Sequence, residues 1–177
     1  MGWIVFDARL HEDDFLLSAG KSLFLCQHFE WTCKEIVMWL SLSKALYKKQ
    51  FEFLSAEHRD YVDQLLSLFL GQSIQRLNQE FGGKINEHDI DLVKGAKDSR
   101  NFICHECMLN LVYAPLGDGY SFDWDTDSHR KHIRHLAEGD YVVSRWTYEF
   151  HEKESGAFKN RDCYVTAVES WVFNNKA

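Results

Sequence analysis

Apolar residues recur in the first third of the chain at three- and four-residue steps: Cys26, Phe29, Cys33, Ile36, Leu40 and Tyr47. That spacing places them on one side of an α-helix and predicts a first helix from about Ser22 to about Lys49. After a Phe51–Leu54 link, Ser55 can cap a second helix by accepting a hydrogen bond from its first turn. Leu66, Leu70, Ile74, Leu77 and Phe81 form its stripe, and Gly82-Gly83 ends it. Two long helices joined so briefly are expected to pair as an antiparallel hairpin.

A third helical stretch is predicted from about Asn86 to Tyr113. Asn86 with Asp89 resembles a capping box, and Pro115 closes the far end, while Gly95 and Asp98-Ser99 leave room for a break. The polar, acidic loop Leu116–Asp127 carries Phe122 and Trp124 and is long enough for a functional or dimer-contact role. A fourth helix is expected over about Ser128–Glu152 and a fifth over about Asn160–Phe173, the last with Val168 and Trp171 turned inward. Val142-Val143 and Tyr164-Val165 have strand-like composition, but their neighbours keep helical spacing. The expectation is therefore all-α: a four- to five-helix bundle in one domain over residues 1–177, with a helical extension over 154–177.

Composition supports a packed core. The 177 residues are 45% hydrophobic and include six Trp, seven Tyr and thirteen Phe, too apolar a supply for a disordered chain. Pro115 is the one proline, so little interrupts long helices. The net charge of −7 argues against a surface built to hold polyanions everywhere; nucleic-acid binding would need a local basic patch. Five cysteines, an odd number without framework spacing, fit a reducing compartment. The first residues lack the charge order of a signal peptide, Phe6 stands where a myristoylation motif wants Ser or Thr, and no apolar run is long enough to cross a bilayer. These features lead us to expect a soluble cytoplasmic protein.

The segment richest in chemistry is Asp98-Ser99-Arg100-Asn101-Phe102-Ile103-Cys104-His105-Glu106-Cys107. At about 100° per residue, Asp98, Asn101 and His105 share a stripe with Phe102, Leu109 and Val112, which predicts that Asn101 and His105 lie inside a broad apolar arc. Polar groups so placed must pair inside the bundle or meet another subunit. Arg100 lies about 140° from His105, so only its length can bring the guanidinium back to a shared site. Guanidinium, imidazole and amide together suit a phosphodiester: arginine forks onto phosphate oxygens, histidine moves a proton near neutral pH, and the amide orients either. Asp98 is a candidate anchor for Arg100. A buried structural histidine is the bland competitor.

The run Arg-Asn-x-x-x-His on a late helix of a small all-α bundle, here Arg100, Asn101 and His105, resembles the signature of the HEPN (higher eukaryotes and prokaryotes nucleotide-binding) superfamily. The resemblance implies a metal-independent endoribonuclease without a cofactor, in which two copies of the motif face one cleft of a homodimer. It also implies RNA as the substrate. It suggests a toxin or abortive-infection effector, with a nucleotidyltransferase-like antitoxin as partner. The acidic loop and the residues from Glu154 to Ala177 depart from minimal members of that superfamily.

Two alternatives stand beside it. A non-catalytic helical interaction module of the same fold would use Arg100 and His105 only for pairing. A zinc-binding bundle would use Cys104, Cys107 and the later His129, His132 and His135; yet a CxxC in mid-helix splays its sulfurs, and no second CxxC exists. Ser128–His135 is the strongest basic run. There Arg130, Lys131 and Arg134 form either a phosphate-binding wall for RNA, joined by Lys94 and Lys97, or a solvated face that offsets the acidic loop.

Overall fold

Helix follows the apolar spacing nearly everywhere in the computed structural model, which describes residues 13–81, 85–106, 125–152 and 160–173. Among the described residues there are six helices and no strand: α1 (Asp13–Tyr47), α2 (Ala56–Leu66), α3 (Leu70–Phe81), α4 (Glu87–His105), α5 (Thr126–Glu152) and α6 (Arg161–Phe173). The all-α expectation holds, with one helix more than the pattern predicts.

The extra helix arises from a break at Ser67–Phe69. Ser67 Oγ donates to the Gln64 carbonyl at 2.8 Å, and Gln72 Oε1 accepts from the Phe69 backbone N–H at 2.9 Å. Local side-chain bonds of this kind give the backbone partners that a continuous helix would otherwise supply. Upstream, α1 closes with Gln50 N–H on the Ala45 carbonyl and Lys49 N–H on that of Leu46, the paired bonds of a Schellman ending. Lys49, at φ 53°, takes the left-handed place more often given to glycine. Ser55 then caps α2 as expected, accepting from His58 N–H at 3.2 Å.

The core draws Phe29, Cys33, Ile36 and Val37 from α1, Leu77 from α3, Val93 and Ala96 from α4, Ile133, Leu136, Val142 and Val143 from α5, and Val172 from α6. Some predicted core positions fall outside it: Tyr47 is 89% exposed at the end of α1, Trp171 is 45% exposed, and Leu66 is only half-buried. Val165 and Val172 are the residues that α6 buries, while Trp171 holds the edge of Phe24 and the Lys21 ammonium.

The closest framework for the site is the α4–α5 pair, the most extensively packed among the described helices. Asp89 meets Arg145, Ala96 lies against Gly139, and Ser99 meets His132, so rising numbers on α4 match falling numbers on α5: the helices run antiparallel. A Cβ at Gly139 would sit 2.3 Å from Ala96 Cβ and 3.0 Å from the Leu92 carbonyl oxygen. Glycine is therefore required for the backbones to approach this closely. Asn86 caps α4 through His88 N–H at 3.1 Å, but Asp89 turns away to Arg145 at 2.6 Å, so only half of the expected capping box forms. α4 ends at His105 with Glu106 as its cap; the rest of the stretch predicted to reach Tyr113, and the loop expected after Pro115 as far as Trp124, lie outside the described residues.

Candidate functional site

Arg100, Asn101 and His105 occupy the last turns of α4. Asn101 and His105 are exposed and Arg100 is half-buried, so the predicted apolar arc is wrong for the two polar members. The helix buries Ile90, Val93, Ala96, Ser99 and Ile103 instead, which turns Asn101 and His105 toward solvent. The arginine does bridge the 140° gap. Its Nη1 donates to Asn101 Oδ1 at 3.3 Å and lies 3.5 Å from His105 Nε2. Because a guanidinium can only donate, Nε2 accepts in this contact.

What fixes the guanidinium is a residue the sequence reading missed. Arg100 Nη2 donates to Glu30 Oε2 at 2.6 Å, across to α1, and Lys34 Nζ holds the other carboxylate oxygen at 3.0 Å. Burial works to raise the Glu30 pKa, but the Lys34 hydrogen bond and the charges of Arg100 and Lys34 outweigh it and hold the carboxyl below its ordinary value. The expected anchor, Asp98, pairs with Lys97 at 3.1 Å. The Arg100 Nε is buried with no hydrogen-bond partner among the described residues. Arg100 is thus clamped on one edge while its Nη1 serves the motif.

Beside these residues, His132 of α5 stacks on Phe102 with ring centroids 3.9 Å apart and 18° between planes. Its Nδ1 lies 3.2 Å from the hydroxyl of buried Ser99. Burial, then the nearby His135 and Lys131, lower the His132 pKa, and Glu106 works against them.

The proposed phosphate-binding wall divides. Arg130 and Arg134 both converge on Glu169 of α6, at 2.5 and 2.6 Å, and Arg130 lies 4.5 Å over the Phe173 ring. These two arginines therefore clasp α6 to α5. Burial would raise the Glu169 pKa, yet hydrogen bonds from both guanidinium groups hold it below the ordinary carboxylate value. Lys131 is exposed. Lys94 pairs with Asp91 at 3.3 Å on the open face of α4.

The histidines proposed for zinc do not converge on one point: His132 meets the His135 ring edge-on, with centroids 6.5 Å apart. His129 is 2% exposed and bonded to Ser22 Oγ at 2.9 Å, whereas His132 is committed to Ser99 and Phe102. Among the described residues no group of three His, Cys, Asp or Glu side chains converges as a metal cluster would require; Cys107 lies outside them. No helix among the described residues is long and apolar enough to cross a membrane.

A second polar cluster joins three helices. Asp140 of α5 is fully buried, accepts from the Tyr164 hydroxyl of α6, and holds His28 Nδ1 of α1 at 3.1 Å. The hydrogen bond to Asp140 raises the His28 pKa, and burial followed by the Asp140 charge pushes the Tyr164 phenol up.

Comparison of the chain with protein-family models, curated proteins and solved structures gave no match.

Proposed function

We propose that this protein is a metal-independent endoribonuclease of the HEPN type. The observation that supports the reading best is the convergence of Arg100, Asn101 and His105 at one exposed end of α4, with the arginine held by Glu30. In this reading RNA enters with its scissile phosphate at Arg100, where the guanidinium carries the charge that develops on the phosphoryl oxygens. His105 moves a proton to or from the reacting oxygens, and Asn101 orients the pair. The 2′-hydroxyl is the nucleophile, so no metal-bound water is called for, and the product is a 2′,3′-cyclic phosphate.

The protein would act in the cytoplasm as a homodimer, the exposed motif of one copy facing that of the other across a two-fold axis. A toxin or abortive-infection role, restrained by a nucleotidyltransferase-like antitoxin, belongs to the same proposal.

Two observations favour the non-catalytic module. Arg100 already has a full carboxylate partner in Glu30, and α1 exposes Leu16, Leu17, Leu23, Phe24 and Trp31 as an apolar surface. End-group analysis separates the two readings: purified protein incubated with mixed cellular RNA should release 5′-hydroxyl and 2′,3′-cyclic phosphate ends. Binding of a protein partner without new RNA ends would favour the module.

A further inference from the structure

Strand cleavage by a 2′-hydroxyl needs two proton transfers, one from the attacking oxygen and one to the departing oxygen. The Arg-Asn-x-x-x-His run carries a single imidazole per copy, and that of the other copy would lie across the two-fold axis. We infer that His132 on α5 is the second proton-transfer group, supplied by the same chain; the inference rests on the ribonuclease reading.

Two contacts lead to it. The His132 ring is stacked on Phe102, which lies between Asn101 and His105 and one turn from His105 on the same helix. Its Nδ1 is held by Ser99, the residue immediately before Arg100. Two constraints therefore fix the ring plane and leave Nε2 as the nitrogen with work to do. With Nδ1–H donating to Ser99 Oγ, Nε2 carries a lone pair, the tautomer that a base requires.

The charges around the two imidazoles divide the roles. Ser99, Phe102 and Glu106 face His132 from α4, and Lys131 and His135 adjoin it on α5. Burial and the two basic neighbours favour the neutral ring, so His132 is the base. His105 is exposed beside Arg100, and the 3.5 Å contact between them is the longest in the Arg100 set. A phosphate that takes over Arg100 Nη1 frees His105 Nε2 to carry a proton next to the anion.

The step then balances. His132 Nε2 takes the 2′-hydroxyl proton as the O2′–P bond forms. The P–O5′ bond breaks, and His105 gives its proton to O5′. The products are a 2′,3′-cyclic phosphate and a 5′-hydroxyl, and the two imidazoles return to their starting states by proton exchange with water.

His132→Phe keeps a ring on Phe102 and removes both nitrogens, so it separates chemistry from packing. The pH–rate profile of RNA cleavage is measured for wild type, His132→Phe and Ser99→Ala, with thermal melting as a control. Loss of about 100-fold or more in His132→Phe, and of the acid limb in kcat/KM, is expected while the melt stays cooperative. A rate within tenfold of wild type with an unchanged profile overturns the inference and moves the second imidazole to the partner copy. Should His132→Phe fail to fold, histidine ring-proton resonances of the wild-type protein are followed as uridine 2′,3′-cyclic phosphate is added. Both His105 and His132 should shift. His105 shifting with His132 unmoved overturns the inference alone, whereas no shift at either, with no cleavage by wild type, overturns the ribonuclease reading beneath it.

Discussion

Acidification from pH 7 to pH 5 should weaken the fold through His129 before most carboxylates begin to protonate. His129 is 2% exposed, between Ser22 of α1 and the edge of Phe173 of α6, and burial followed by the charge of His132 lowers its pKa to about 4. The folded state thus binds the proton less well than the unfolded chain, where a histidine titrates near 6.5. A depressed histidine contributes stability that is fully present above about pH 6.5 and is lost as the pH falls toward the folded value. Integrating the difference between 6.5 and about 4 predicts a loss of about 2 kcal/mol at pH 5 and about 3 kcal/mol at pH 4. His28 does not blur the window: its raised pKa gives stability that is complete below about pH 6.5 and lost only as pH rises through its folded value. The assay is urea unfolding at pH 7 and pH 5 for wild type and His129→Gln, which cannot titrate but can still bond Ser22. Wild type should lose about 2 kcal/mol more than the variant between the two pH values. Equal losses in the two proteins would refute the assignment.

Gly139→Ala should cost about 1–3 kcal/mol, because the new methyl meets Ala96 and the Leu92 carbonyl at the α4–α5 crossing; a melting temperature equal to wild type would show that the crossing yields freely. Glu30→Ala should cut RNA cleavage about tenfold or more by releasing Arg100, with Glu30→Gln less affected since it can still accept a hydrogen bond; an unimpaired alanine variant would dismiss the clamp. Lys131→Ala should flatten the salt dependence of RNA binding by about one unit of slope, while Arg130→Ala should chiefly lower the melting temperature by releasing Glu169. An unchanged slope in the lysine variant would make this run ordinary solvated surface.

Periodicity carried the helices whose apolar stripe faces the core. It placed α5 and α6 within two residues at each end, and it found Ser55 and Asn86 as caps because their bonds are local. It began α1 too late, since Leu16, Leu17, Leu23 and Phe24 are apolar yet exposed and blur the stripe. The Ser67–Phe69 break was hidden because Gln72 and Ser67 act through side-chain bonds that an apolar count ignores. Arg100, Asn101 and His105 could be singled out as residues, but not their exposure: the buried face of α4 is set by α5 and α1, and Ser99, a polar residue, lies on it. Glu30 lies 70 residues from Arg100, and nothing in local spacing links them. The same holds for the clasp of Arg130 and Arg134 on Glu169, which turns a seemingly free basic face into a structural joint.

Proton transfer by His105 in metal-free RNA cleavage is tested most directly by the single-turnover cleavage rate of wild type and His105→Ala, each with and without EDTA. His105 is exposed, so its loss should leave the melting transition almost unchanged. A fall of about 100-fold or more is expected in the variant, with no effect of the chelator on wild type. Cleavage that survives in His105→Ala, or that stops when EDTA is added to wild type, would contradict it.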